Sequence, residues 1–137
     1  MNTEYKEIKN LLQRRNFQDS IAEFKKKFKG KKVLLYGAGL FTRVVLDNYS
    51  LDGLNIIGVS DMKFKGGEKF YGYSGISLSD IADFKPDVIL ISAYRDTQIK
   101  YFLKENHPEL RKIPKEPILK RTLKDKIHVV REILGSY

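Results

Sequence analysis

Gly37-Ala38-Gly39 follows the apolar run Val33-Leu34-Leu35-Tyr36 and leads into Leu40-Phe41-Thr42-Arg43-Val44-Val45-Leu46. The chemistry open to such a stretch is anion binding. The apolar run is too short for a buried helix and suits a strand, whereas the segment after Gly39 carries the spacing of an amphipathic helix. Glycines let backbone approach a ligand closely, and the first amides of a helix lack carbonyl partners and carry the positive end of its dipole. Phosphate or pyrophosphate is the natural guest. Asp61 stands 24 positions beyond Gly37 and closes a second apolar segment, Leu54-Asn55-Ile56-Ile57-Gly58-Val59-Ser60. That is close to the spacing at which an acidic side chain meets a ribose hydroxyl in dinucleotide-binding folds.

A third group, Ser92-Ala93-Tyr94-Arg95, follows the β-branched run Val88-Ile89-Leu90-Ile91. Tyr94 offers a face on which a base or sugar can stack, and Arg95 a planar fork for phosphate. Thr42 occupies the place of the third glycine of the full dinucleotide fingerprint, which predicts a different helix seat and counts against an orthodox NAD site. Other catalytic chemistry finds little support. There is no P-loop signature, Tyr101-Phe102-Leu103-Lys104 is one residue short of the Tyr-x-x-x-Lys pair, and His107 and His128 fall in a helix-ending turn and a terminal helix. No catalytic residue and no metal site is assigned. Asp61 alone is a well-placed carboxylate, and a single acid facing a ribose binds rather than shuttles protons.

The elements that must position these groups alternate between strand and helix. Residues 1–30 read as a helical segment with apolar stripes at Tyr5, Ile8, Leu11 and Leu12 and at Ile21, Phe24 and Phe28, interrupted near Arg14–Phe17, with Asp19 or Ser20 as a second cap and Gly30 as a left-handed stop. Its expected roles are to cover the sheet or to pair with another copy. Residues 31–122 form the α/β unit, with strands expected at 32–36, 54–60, 75–76, 88–92 and 118–120. Right-handed crossovers then give an open parallel sheet of order 3-2-1-4, with the fifth strand beyond. Ligands of such sheets bind outside the carboxyl ends of the strands where the order reverses, which gathers Gly37, Ala38, Gly39, Leu40 and Phe41 opposite Ser92, Ala93 and Tyr94. Residues 62–73 read as a mobile basic loop on the same edge, and Ser77-Leu78-Ser79-Asp80 as a capping box opening a short helix. A last helix is expected over 123–134, within a terminal segment 123–137.

Length and composition bound the rest. The 137 residues fit one domain, there is no cysteine for disulfide or thiolate chemistry, and the apolar fraction of 42% is ordinary for a globular chain. No apolar run is long enough to span a bilayer and the start lacks the apolar centre of a signal peptide, so a cytoplasmic location is expected. The formal charge of +9 is concentrated in Lys25-Lys26-Lys27, Lys29, Lys31 and Lys32 and again after Lys112. Without aromatic–basic interleaving, a zinc finger or a heptad repeat, helix-end complementarity and solubility explain these lysines better than nucleic acid does.

Taken together, Lys32–Gly39, Ile57-Gly58-Val59-Ser60-Asp61, Gly72-Tyr73-Ser74-Gly75-Ile76-Ser77 and Asp87–Ser92 resemble a small Rossmann-like domain. It is the nucleotide-sugar-binding domain that precedes the hexapeptide-repeat body of bacterial sugar acyltransferases, similar to the terminal domain of sugar C-methyltransferases. The likeness covers residues 31 to 105. It implies a three-layer fold, a place in surface-polysaccharide synthesis, and a UDP-sugar ligand held by Gly37, Gly39 and Asp61. The chain carries neither hexapeptide repeats with their catalytic histidine nor a methyl-donor motif, so acyl or methyl transfer is not implied for it alone. A binding module, or one domain fused to a transferase, is expected. NAD(P) and CoA are the alternative ligands, the first as part of an oxidoreductase or redox sensor. A scaffold dimerising through the N-terminal helices is the alternative without a ligand.

Overall fold

The computed structural model describes residues 2–120, so the expected terminal helix over 123–134 lies outside the described residues. The chain is α/β. Among the described residues, five α-helices and six strands follow one another as α1 (Thr3–Arg14), α2 (Phe17–Lys27), β1 (Val33–Tyr36), α3 (Leu40–Asn48), β2 (Ile56–Ser60), β3 (Lys69–Phe70), β4 (Tyr73–Ile76), α4 (Ile81–Phe84), β5 (Val88–Ile91), α5 (Asp96–Asn106) and β6 (Lys115–Pro117). They form one mostly parallel mixed sheet in the order β3-β4-β2-β1-β5-β6. β1 lies at its centre, parallel to β2 on one side and to β5 on the other.

β1 and β5 are buried along their whole length, as apolar strands covered on both faces must be. The pleat of β1 sends Val33 and Leu35 into a core shared with α1, α2 and α3, and Leu34 and Tyr36 into a second core under α4 and α5. The N-terminal helices are thus integral to the first core. Leu12, Phe17 and Ile21 are fully buried there. The α1 stripe that the sequence leaves without a partner packs inside this chain, where Tyr5, Ile8 and Leu11 flank the cluster that contains Val44 and Val45 of α3. Asn2 caps α1 by accepting the amide of Glu4 at 2.9 Å.

Several local expectations are corrected. α2 starts at Phe17 from a left-handed N-cap, Asn16 (φ 50°), three residues before Asp19 and four before Ser20, the expected caps. Ser77 makes no capping bond to the following turn, which is a short 3-10 turn before α4. The expected strand at 118–120 lies instead at Lys115–Pro117, because edge pairing to β5 uses backbone groups, while Ile118 and Leu119 turn into the core. Of the stretch 62–73, residues 62–68 form a loop, whereas 69–73 belong to a hairpin. β3 pairs antiparallel with β4 through Tyr71-Gly72, both left-handed (φ 52° and 84°), the geometry of a type I′ turn.

Candidate functional site

The first turn after β1 is fixed from below by hydrogen bonds. Gly37 donates its amide to the Ser60 carbonyl at 2.8 Å, and Ala38 donates to Asp61 Oδ2 at 2.8 Å. Asp61 Oδ1 accepts the Lys63 amide at 3.1 Å, and the Lys63 ammonium donates to the Ala38 carbonyl at 2.8 Å. Asp61 therefore bridges the end of β2 to the glycine turn. Thr42, fully buried, donates from Oγ1 to the Ser92 carbonyl at 3.0 Å and lies 2.9 Å from Ser92 Oγ. The residue that departs from the fingerprint locks α3 onto the end of β5. Gly37 fits only as glycine: at φ 124°, a Cβ there would stand 2.4 Å from the Ser92 carbonyl oxygen.

Above this floor the backbone opens. Gly39 begins α3 in extended conformation (φ −91°), no side chain caps the helix, and a Cβ added at Gly39 would meet nothing within 4 Å. The space in front of it is a cleft of about 740 Å³ at the carboxyl ends of β1, β2 and β5. That volume is in the range of small-molecule sites.

Of the residues singled out from the sequence, Gly37, Gly39, Leu40, Phe41, Asp61, Ser92, Ala93, Tyr94 and Arg95 line the cleft together. Ala38 and Thr42 are fully buried and belong to the floor beneath it. The amides of Gly37 and Ala38 already have protein acceptors, so the uncapped amides available to an anion are those at the start of α3.

Other residues of the cleft escaped the sequence reading. Glu4, Glu7, Ile8, Leu11 and Arg14 bring α1 up as a wall, and Met62, Tyr36 and Ile99 complete the lining. Nothing local to positions 4–14 signals this, because α1 reaches the cleft only through its packing on α3. Tyr36 does carry a signal, since it is the one polar-tipped residue of the β1 run. It is 4% exposed, and its hydroxyl has no hydrogen-bond partner among the described residues. Burial, and secondarily the charge of Asp61, push this phenol up to about 12, so it stays protonated.

On the outer face of α3, Asp47 joins three elements. Its Oδ2 accepts the Tyr5 hydroxyl of α1 at 2.8 Å, and its Oδ1 accepts the Tyr71 hydroxyl of the β3–β4 turn at 2.6 Å. These two phenols hold the Asp47 carboxyl below its ordinary value, and Asp47 in turn pushes Tyr71 up to about 12. The clamp secures α1, and with it the cleft wall that carries Glu4 and Glu7.

No helix among the described residues is long and apolar enough to cross a membrane, and no group of three or more His, Asp or Glu there is arranged to hold a metal ion. No curated protein and no solved structure matches the chain. Residues 29–113, which contain the glycine turn, Asp61 and the Ser92–Arg95 loop, match the family described as C2185-like, N-terminal, and the chain belongs to that family.

Proposed function

We propose that this chain binds a nucleotide or nucleotide sugar of the uridine-diphosphate type, in a Rossmann-like manner and in the service of surface-polysaccharide synthesis. The diphosphate sits at the start of α3. The observation that carries the reading is the contrast within one turn: Gly37 and Ala38 are consumed by the protein, whereas Gly39, Leu40 and Phe41 open uncapped into a cleft of about 740 Å³. Uncapped amides at a helix start favour an anion. Arg95 at the rim adds charge, and Tyr94, 39% exposed, presents an aromatic face for the base or the sugar.

The reading is of binding rather than catalysis. Among the described cleft residues the acid nearest the turn, Asp61, spends one oxygen on Ala38 and the other on Lys63. The same bonds count against Asp61 as a dedicated ribose-diol acceptor of the kind the dinucleotide fingerprint calls for. Calorimetric titration of the full chain with UDP, UDP-sugars, NADH and CoA tests the proposal. Binding of uridine nucleotides in preference to NADH and CoA is expected, and absence of heat with every uridine nucleotide overturns it.

A further inference from the structure

At the opposite edge of the sheet, two loops lie side by side at the amino ends of β1 and β5. Asp87 and Val88 donate their amides to the Lys32 carbonyl at 2.8 and 3.3 Å, the Lys32 amide donates to Asp87 Oδ2 at 2.7 Å, and the Lys32 ammonium donates to the Phe84 carbonyl at 3.3 Å. This pairing sets exposed Lys29, Lys31 and Lys32 beside exposed Lys85. Phe84, the residue before Lys85 and the carbonyl acceptor of the Lys32 ammonium, is 48% exposed. Of the acids here, Asp87 is engaged by the Lys32 amide, and Asp83 is exposed beside Phe84, so the lysines outnumber the acids by four to two.

We propose that this edge docks on an anionic lipid surface, with Phe84 entering the interface and the lysines meeting the headgroups. The charge is complementary, since four exposed lysines share this edge and the whole chain carries +9. Lysines attract an anionic surface as point charges, and an apolar tip among them adds interfacial insertion. Nucleic acid fits less well: no row of aromatic rings for bases accompanies these lysines. The cleft lies at the carboxyl ends of the same strands, so docking leaves its mouth facing away from the lipid.

Flotation of the full chain with vesicles of phosphatidylcholine alone, or with phosphatidylglycerol added, tests this. Binding is expected only with the anionic lipid and falls as salt is raised. Lys29→Glu and Lys31→Glu should each weaken binding by at least about 5-fold, and Phe84→Ser by roughly 10-fold, from the usual strength of a surface lysine and of an inserted aromatic ring. Lys29→Glu and Phe84→Ser should leave the thermal melt of the chain in place and its UDP titration unchanged, which separates this surface from the cleft. Equal binding to neutral vesicles, or none to anionic ones, overturns the proposal. So does tight binding of a DNA or RNA duplex that the lysine variants abolish and Phe84→Ser does not, which assigns the edge to nucleic acid.

Discussion

The floor and the rim of the cleft are built from the same short turn and are held in opposite ways. In the floor every group is committed: Gly37 to Ser60, Ala38 to Asp61, Thr42 to Ser92. At the rim, Gly39 has nothing within 4 Å of a would-be Cβ and starts a helix that no side chain caps. The two glycines, identical in sequence, thus answer to different demands. Gly37 is required by the protein and Gly39 is not, and the open side at Gly39 is where we propose that the ligand binds.

Changes in the floor should therefore cost stability. Gly37→Ala forces a left-handed alanine and drives its Cβ to 2.4 Å from the Ser92 carbonyl oxygen. Strain and overpacking together should lower the unfolding free energy by roughly 3 kcal/mol or more. Urea denaturation measures it, and a loss below about 1 kcal/mol would mean the floor is softer than described. Thr42→Val keeps the shape and deletes the hydroxyl on Ser92, and should cost about 1 to 3 kcal/mol for the buried partner left unpaired.

The Asp47 clamp predicts a smaller, pH-dependent effect. Its carboxyl is lowered in the folded chain, so its contribution is complete above the unfolded carboxylate value and is lost as pH falls through the folded one. Tyr71 is raised from 10.0 to about 12, so its contribution is complete below pH 10 and is lost as pH rises through about 12. Thermal melts across pH should show both declines, and Tyr71→Phe should shrink both. Unchanged pH profiles in that variant would show that Tyr71 does not hold the wall. Because the clamp acts between surface groups, its effect should rank below either floor substitution.

How much of this the sequence discloses depends on the distance over which each feature is decided. The unbroken apolar runs Val33–Tyr36 and Val88–Ile91 mark two interior strands, since only burial on both faces tolerates them. The role of Thr42 is half legible: its departure from glycine predicts an altered helix seat, but not the bond to Ser92 fifty positions away. The clamp at Asp47 is illegible because it joins positions 5, 47 and 71 through packing alone. The β3–β4 hairpin is missed because its turn is Tyr-Gly rather than Asn-Gly, and the left-handed tyrosine is explained only by the hydroxyl it delivers to Asp47. The last strand is misplaced because the apolar pair Ile118-Leu119 attracts a reading by propensity, whereas an edge strand needs backbone pairing and admits Pro117.

The smallest expected change in stability belongs to the most informative substitution. For Gly39→Ala, the poorer helix start and the stiffer unfolded chain oppose each other, so the net change should stay within about 0.5 kcal/mol. Its methyl group, however, projects into the open cleft where the diphosphate is proposed to lie. Calorimetric titration of UDP into the native chain and into Gly39→Ala, at matched thermal stability, tests the account most directly. Saturable one-to-one binding to the native chain is expected, with at least about a tenfold loss in the variant, the scale of one displaced phosphate contact. Equal affinity in the two proteins, or no binding to the native chain, contradicts it.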